Sequence, residues 1–150
     1  MALPTLLAVN LVTPRGVVAH QDADSVQAPG ELGEFELLPG HVPLLTALRP
    51  GVLTIGSAGR SSSGPSPGGA RARYAVASGY LRVDPSGAVE ILVEQAVLAK
   101  DVDAELAKKD LATGEAELAK WGDKPADGDY VNLQHKVGWA KARLDATAAH

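Results

Sequence analysis

Apolar and polar positions alternate with a different period in each of the two parts of this chain. Over residues 1–95, short apolar runs such as Leu6 to Val12 and Ala88 to Val93 are separated by turns rich in glycine and proline. Short strands divided by such turns are typical of antiparallel sandwiches and barrels. Over residues 96–150, small and apolar residues return every three or four positions, which is the spacing of amphipathic helices. The pattern predicts a β-sandwich domain over 1–95 and an antiparallel two-helix hairpin domain over 96–150.

The first part of the chain predicts several strands and one long loop. A β-hairpin is expected from Leu6 to Val12 and Val17 to Ala28, because Thr13 to Gly16 forms a turn signal, TPRG. Residues 56–70 consist mostly of serine, glycine and proline. Such a segment cannot bury apolar surface and is expected to form a mobile hairpin tip. Ala88 to Val93 is expected to be the last strand.

Two seams of small and apolar side chains define the predicted helices, and each seam is expected to pack on a partner at close range. Asp101 or Asp103 can cap the first helix, and Asp127 or Asp129 can cap the second. The first seam comprises Ala104, Ala107, Leu111, Gly114, Leu118 and Trp121, and the second comprises Tyr130, Leu133, Val137, Ala140, Leu144 and Thr147.

Small residues on these seams leave the helical hairpin with little apolar volume. Gly114 and Gly138 lie inside the predicted helices, where each costs about 1 kcal/mol relative to alanine. Two isolated helices of about 20 residues are marginally stable, so their stability must come from docking on the sandwich or on a partner. We therefore hypothesise that the hairpin moves between two docked positions.

Composition and charge argue against several classes of function. The 150 residues are 45% hydrophobic and 21% charged, as expected of a folded domain. A net charge of -4 gives no basis for binding nucleic acid or anionic lipid, and the absence of cysteine excludes disulfides and thiolate chemistry. No apolar run approaches the roughly 20 residues needed to span a bilayer. We expect a soluble, cytosolic protein that a partner must hold if it works at a membrane.

The sequence carries no motif typical of a catalytic or metal site. Its four histidines lack the i, i+4 spacing of a helical metal site, and no nucleophile elbow, phosphate-binding loop or dinucleotide fingerprint is present. Glu31, Glu34 and Glu36 lie beside glycines and are interpreted as a solvated acidic rim. For His41, a turn histidine and an exposed contact at a subunit boundary are both open. We expect no catalytic, cofactor-binding or metal-binding residues.

One stretch, Gly30 to Gly51, is predicted to bend into a corner of the sheet and carries a resemblance to a known family; we call it the corner. It reads GELGEFELLPGHVPLLTALRPG. Its GELG and LPGHVPLLTAL segments, followed by RPGVL, resemble the epsilon subunit of bacterial and plastid F-type ATP synthases. Further along, Ser78 to Val83, Ala88 to Val93 and Asp101 to Asp103 are similar to two strands and to the start of the first C-terminal helix in that family. The likeness covers nearly the whole chain.

The resemblance implies a non-catalytic rotor subunit with a sandwich of about ten strands. The sandwich would bind the gamma subunit of the central stalk and rest on the membrane c-ring, on the cytoplasmic side of the bacterial inner membrane, without inserting into it. The helical hairpin would extend towards the alpha/beta catalytic head and restrain ATP hydrolysis. We expect its regulatory side chains to lie on the outer faces of the helices, and they are Lys108, Lys109, Lys136, Lys141 and Arg143. The corner residues implied at the gamma and c-ring interfaces are Glu31, Leu32, Gly33, Pro39, Gly40, His41, Val42 and Pro43.

Some members of that family bind ATP through an arginine near the start of the first helix and arginines on the second. Here Leu106 stands at the first position and Trp139 at one of the others, while Arg143 matches the last. Because neither leucine nor tryptophan replaces a bidentate phosphate-binding arginine, we expect weak or no ATP binding.

Two further hypotheses for the function of the chain are a stand-alone sandwich with a helical dimerisation tail, and a hydrolase that uses Glu31, Glu36 and His41.

Overall fold

The computed structural model describes residues 6–40, 43–57, 60–61, 64–65 and 71–148. A β-sandwich is followed by two helices that pack on each other, as the sequence predicts. The strands are β1 (Leu7–Thr13), β2 (Gly16–Gly30), β3 (Gly33–Leu37), β4 (Leu44–Leu48), β5 (Gly51–Ser57), β6 (Arg60–Ser61), β7 (Gly64–Pro65), β8 (Arg71–Val76), β9 (Gly79–Val83), β10 (Ala88–Val93) and β11 (Ala96–Leu98). A short 3-10 helix, Ala99–Asp101, leads to α1 (Ala104–Ala119) and α2 (Gly128–Ala148).

Strand β2 connects the two halves of the folded sheet. Its first half pairs antiparallel with β1, and its second half pairs with β5 and β3. β1 pairs in parallel with β10, which is followed by β9 and β4, while β5 is followed by β8 and β11. The predicted hairpin of the first two strands is confirmed, and Gly16 in its turn adopts a φ of +128°, which favours glycine.

The core lies between these two halves and consists of aliphatic side chains at alternate strand positions. On β1, Leu7, Val9 and Leu11 are buried while Ala8 is exposed. Burying each such side chain contributes about 1.5–3 kcal/mol to stability. The largest fully buried side chains are Leu7, Leu11, Leu37, Leu53, Ile55, Leu81 and Ile91.

Two expectations about the strands are wrong. Ala88 to Val93 is not the last strand, because Ala96–Leu98 forms β11 alongside β8. Three residues are too few to show an alternating period, so no pattern indicates this strand. Residues 56–70 are not entirely a loop, because β5 continues to Ser57 and β6 pairs with β7 within the stretch.

Both helices begin at one of the predicted caps. The Asp103 carboxylate accepts a hydrogen bond from the Leu106 backbone N–H at 3.1 Å. Asp127 accepts hydrogen bonds from the backbone N–H groups of Asp129 and Tyr130, at 3.0 and 3.2 Å. These bonds satisfy donors that the first turn of a helix leaves unpaired. Within the described residues, neither helix combines the length and the hydropathy that crossing a membrane requires.

The centre of the predicted seam between the helices is buried, and its other residues are half-buried. Ala107 and Gly114 of α1 are buried, as are Leu133, Val137 and Ala140 of α2. A Cβ atom at Gly114 would lie 2.7 Å from Cγ2 of Val137, so the glycine permits a closer approach of the two helices than alanine would.

A second face of α2, which the sequence pattern did not indicate, packs on the sandwich. Ala142 and Ala146 are buried with Ala75 of β8, and Val52 of β5 packs against this cluster. At about 100° per residue, Ala142 lies nearly opposite Ala140 on the helix surface. In the described part of the chain, α1 packs on α2, and α2 packs on β5 and β8. α2 is therefore the middle layer between α1 and the sheet.

Candidate partner-binding surface

A row of apolar side chains crosses the half of the sheet that lies away from α2. Val12 of β1 pairs with Val17 of β2 and with Leu92 of β10. Leu92 pairs with Tyr80 of β9, and Tyr80 pairs with Ala47 of β4. Residues paired across strands project to the same face of a sheet, so these five residues form one apolar row.

The apolar row is open to solvent. Val17, Tyr80 and Leu92 are 63%, 59% and 52% exposed. Single exposed apolar side chains are common on protein surfaces, but a contiguous patch of them marks an interaction site. The row therefore has the character of a surface that a partner covers.

A second row, largely polar, runs beside the first on the same face. The Arg82 guanidinium donates to the Glu90 carboxylate at 2.6 Å, and Asn10 pairs with Glu90 across the strands. The Asn10 Oδ1 atom is buried and has no hydrogen-bond partner among the residues that the structure describes. Leu45, 69% exposed, pairs with Arg82 and extends the apolar surface. Because exposed ion pairs contribute little to stability, this row serves better as a polar margin for an interface.

A groove of about 800 Å³ joins the apolar row to the rest of the molecule. Val12, Tyr80 and Leu92 of the apolar row line it, together with Glu31 from the turn after β2 and His135 from α2. A partner seated in this groove would therefore touch the strands, the corner and the helical hairpin at once.

The first turn of the corner is fixed to the end of the apolar row. The Glu31 backbone N–H donates to the Ala47 carbonyl at 3.0 Å. Leu32, at the tip of the turn between β2 and β3, is fully exposed. Gly33 follows with a φ of +137°, a conformation that other residues rarely adopt. The turn therefore presents an exposed leucine in a position set by the backbone.

The second turn of the corner lies at the other end of β3. Pro39 and Gly40 form it, Gly40 with a φ of +88°, and Pro43 is exposed just before β4. Because β3 has five residues, the two turns are separated by roughly 17 Å of strand. The predicted corner residues thus form two groups rather than one. His41 and Val42 lie outside the described residues, so their predicted roles stay predictions.

The acidic side chains of the corner are all in contact with solvent. Glu31, Glu34 and Glu36 are exposed, which fits a solvated rim. The described residues contain no group of three or more histidine, aspartate or glutamate side chains that could hold a metal ion.

The predicted regulatory side chains of the helical hairpin are not all on its outer faces. Arg143 was expected there, and this is wrong, because its side chain is only 12% exposed and reaches Asp110 on α1 at 2.9 Å. Position 143 lies three residues after Ala140 and therefore flanks the seam between the helices. The side chains that are exposed as expected are Lys108, Lys109, Lys136 and Lys141.

No pattern within a single strand predicts the apolar row, although the sequence carries a signal for it. In β9 and β10, Tyr80 and Leu92 are neighbours of the buried Leu81 and Ile91, so both strands are apolar on both faces at these positions. A strand that is apolar on both faces needs cover on both. The signal indicates that something covers the outer face, but not what it is.

Comparison with known proteins identifies close relatives. A sequence model of the family described as "ATP synthase, Delta/Epsilon chain, beta-sandwich domain" matches residues 6–99. The chain is 40% identical to the ATP synthase epsilon chain of Geobacter metallireducens over 138 residues, which cover 92% of this chain and 91% of that protein. It is 34% identical to the ATP synthase epsilon chain of a Synechococcus strain over 140 residues, which cover 93% and 95%.

Solved structures share the fold at lower sequence identity. A chain of the Euglena gracilis mitochondrial ATP synthase matches with a TM-score of 0.75 and 20% identity, over 100% of this chain and 85% of that one. A chain in the central stalk and c-ring structure of the Tetrahymena thermophila mitochondrial ATP synthase matches with a TM-score of 0.62 and 19% identity, over 97% and 99%.

Proposed function

Because this chain belongs to the ATP synthase delta/epsilon family, we propose that it is a non-catalytic epsilon subunit of an F-type ATP synthase. The observation that carries this proposal is 40% identity to an ATP synthase epsilon chain over 92% of the chain. The match therefore includes the helical hairpin as well as the sandwich.

The apolar row and its groove are the surface that we assign to the gamma subunit of the central stalk. Tyr80 and Leu92 lie at the centre of the row, and tyrosines near the centre of an interface are among the side chains that contribute most to binding. The ion pair of Arg82 and Glu90 lies beside them and would form part of the polar rim. This arrangement of an apolar centre and a polar margin is that of a protein–protein interface.

The corner is the part that we assign to the membrane c-ring. Leu32 projects fully into solvent beside the exposed Glu31, and polar loops of a partner can contact both. Contact with the c-ring would hold the subunit on the cytoplasmic side of the membrane without insertion. The corner residues Glu31, Leu32, Gly33, Pro39, Gly40, His41, Val42 and Pro43 stay part of this proposal, and the apolar row adds Val12, Tyr80 and Leu92 to the gamma interface.

The helical hairpin is the proposed regulatory element, which leaves the sheet to reach the alpha/beta catalytic head. The buried centre of its contact with the sandwich consists of three alanines, Ala75, Ala142 and Ala146, which bury less apolar area than larger side chains would. The exposed lysines of α1 and α2 are available to an acidic partner surface.

No ATP-binding site is proposed in the groove of about 470 Å³ between the helices. Arg143 lines this groove, but its guanidinium is engaged with Asp110 and with the Trp139 ring. Leu106 and Trp139 supply no bidentate contact to a phosphate. Calorimetry with ATP should therefore detect no binding, and micromolar affinity would refute the proposal.

Copurification tests the subunit assignment. The tagged chain should copurify with its gamma subunit and with the catalytic head. A dimer of the isolated chain that dissociates when residues 100–150 are deleted would instead support the stand-alone module. Turnover of a small substrate that His41→Ala abolishes would support the hydrolase.

Truncation after Lys100 tests the regulatory role of the helical hairpin. ATP hydrolysis by the reassembled complex should increase, because the proposed brake is removed. Unchanged hydrolysis would confine the hairpin to a role in assembly.

A further inference from the structure

Arg143 makes one contact between the two helices and two contacts within α2. Its Nη2 atom lies 2.9 Å from Oδ2 of Asp110 on α1. Its Nε donates to the Trp139 carbonyl at 3.4 Å, and its guanidinium lies 5.3 Å from the centroid of the Trp139 ring. Because this side chain is only 12% exposed, its charge depends on these partners rather than on water.

Trp139 extends the connection to the sandwich. It packs against the cluster of Ala75, Ala142 and Ala146, where α2 meets β8. In the described part of the chain, α1 packs on α2, while α2 packs on the strands. Asp110, Arg143 and Trp139 therefore form a continuous path from the outer helix to the sheet.

The second ion pair of the hairpin lies within one helix and is exposed, unlike the pair of Asp110 and Arg143. Lys108 and Glu105 lie on the same helix, 3.6 Å apart, with side chains 64% and 88% exposed. Such a pair contributes little. A charge-assisted hydrogen bond from a mostly buried arginine is stronger, and breaking it leaves a charge unpaired. Among the described residues, Asp110–Arg143 is the salt bridge that joins the two helices.

We propose that Asp110, Arg143 and Trp139 form a clasp that makes opening of the helical hairpin a two-step process. When the ion pair at Asp110 breaks, α1 detaches, but Arg143 stays stacked on Trp139 and α2 stays on the sheet. Loss of the packing of Trp139 against the cluster of Ala75, Ala142 and Ala146 releases α2 in the second step. The first step is controlled by a contact within the chain and needs no bound ligand.

The significance of the clasp for regulation rests on the function proposed above. Its existence does not, because amide exchange of the isolated full-length chain tests it without any partner. A chain that shows the clasp but does not assemble with gamma would overturn the subunit assignment alone.

Hydrogen exchange of the Asp110→Asn variant tests the first step. Asparagine keeps the size of the side chain and removes its charge, so we expect amide exchange in α1 to rise about tenfold, with changes in α2 and β8 of less than about twofold. Glu105→Gln is the matched control, because it removes the exposed ion pair on α1, and it should leave α1 exchange unchanged. Trp139→Ala should accelerate exchange in both helices.

A double-mutant cycle separates the clasp from two independent effects. If Asp110 and Arg143 act together, Asp110→Asn and Arg143→Gln combined should accelerate α1 exchange no more than the stronger single variant. Additive effects would overturn the proposal. So would equal acceleration of α1 and α2 in Asp110→Asn, since the hairpin would then open in one step.

Discussion

At the scale of single residues, the glycines of the helices have a structural role that their helix propensity conceals. Gly114 faces Val137, and a Cβ atom at Gly138 would lie 3.2 Å from Cγ of Pro50 in the sandwich. By helix propensity alone, both glycines destabilise the helices. The structure shows that they lie where another element approaches closely, which propensity alone cannot predict.

Two glycine-to-alanine substitutions should therefore change stability in opposite directions. Gly114→Ala gains helix propensity but places a Cβ 2.7 Å from Val137 Cγ2, so we expect a net loss of about 1 kcal/mol. Gly128, at the start of α2, has open space around it, so Gly128→Ala should gain up to about 1 kcal/mol. Thermal unfolding followed by the helical circular dichroism signal measures both. Stabilisation by Gly114→Ala would contradict the close approach of the helices.

Asp84 should make one part of the stability depend on pH. Its Oδ1 accepts hydrogen bonds from the Ser86 hydroxyl and from the Ala88 and Ser86 backbone N–H groups, at 2.6, 3.0 and 2.9 Å. These bonds, led by that of the Ser86 hydroxyl, lower the pKa of the Asp84 carboxyl below its usual value. The stabilisation is therefore present above the unfolded-state pKa of about 4 and is lost as pH falls through the folded-state pKa.

Denaturant unfolding of Asp84→Ala at several pH values measures this contribution. The variant should be less stable than the unmodified chain at about pH 7, and the difference should shrink below about pH 4. A difference that stays constant through the acid range would show that the carboxylate charge is not involved.

At the scale of elements, α2 shows what a single period can and cannot predict. The seam through Leu133, Val137 and Ala140 was predicted, because buried apolar residues return at helical spacing. The opposite face, with Ala142 and Ala146, was not predicted, because alanine is equally common on exposed helix surfaces. β11 could not be predicted because three residues are too few to show a period. The apolar row could not be predicted because it depends on pairing between strands that are distant in sequence.

A charge at the face of α2 that packs on the sheet should displace the helix. Ala142→Glu would bury an unpaired carboxylate beside Ala75, at a cost of roughly 2 kcal/mol or more, so α2 should leave the sheet and lose helical structure. Ala112→Glu, at an exposed position of α1, is the matched control. Thermal melting at a helix-sensitive wavelength should show an earlier transition for Ala142→Glu alone. Equal melting of the two variants would contradict the docking of α2.

At the scale of the whole molecule, the two sides of the sandwich are used differently. α2 covers β5 and β8, while the apolar row on β1, β10, β9 and β4 remains open to solvent. The fold class and the family could be predicted because turn residues, helical spacing and the corner motif are all local in sequence. Which strand faces lie side by side could not, because register brings Val17, Leu92 and Ala47 together from distant parts of the chain.

The affinity of the chain for its gamma subunit tests the central claim most directly. Tyr80→Asp places a charge in the middle of the apolar row, and we expect the Kd to rise at least about 100-fold, as for an interface hot spot. Val131→Asp changes an exposed valine on α2 outside the row and should leave the Kd within about threefold. If Tyr80→Asp binds gamma as tightly as the unmodified chain, the apolar row is not the stalk-binding surface.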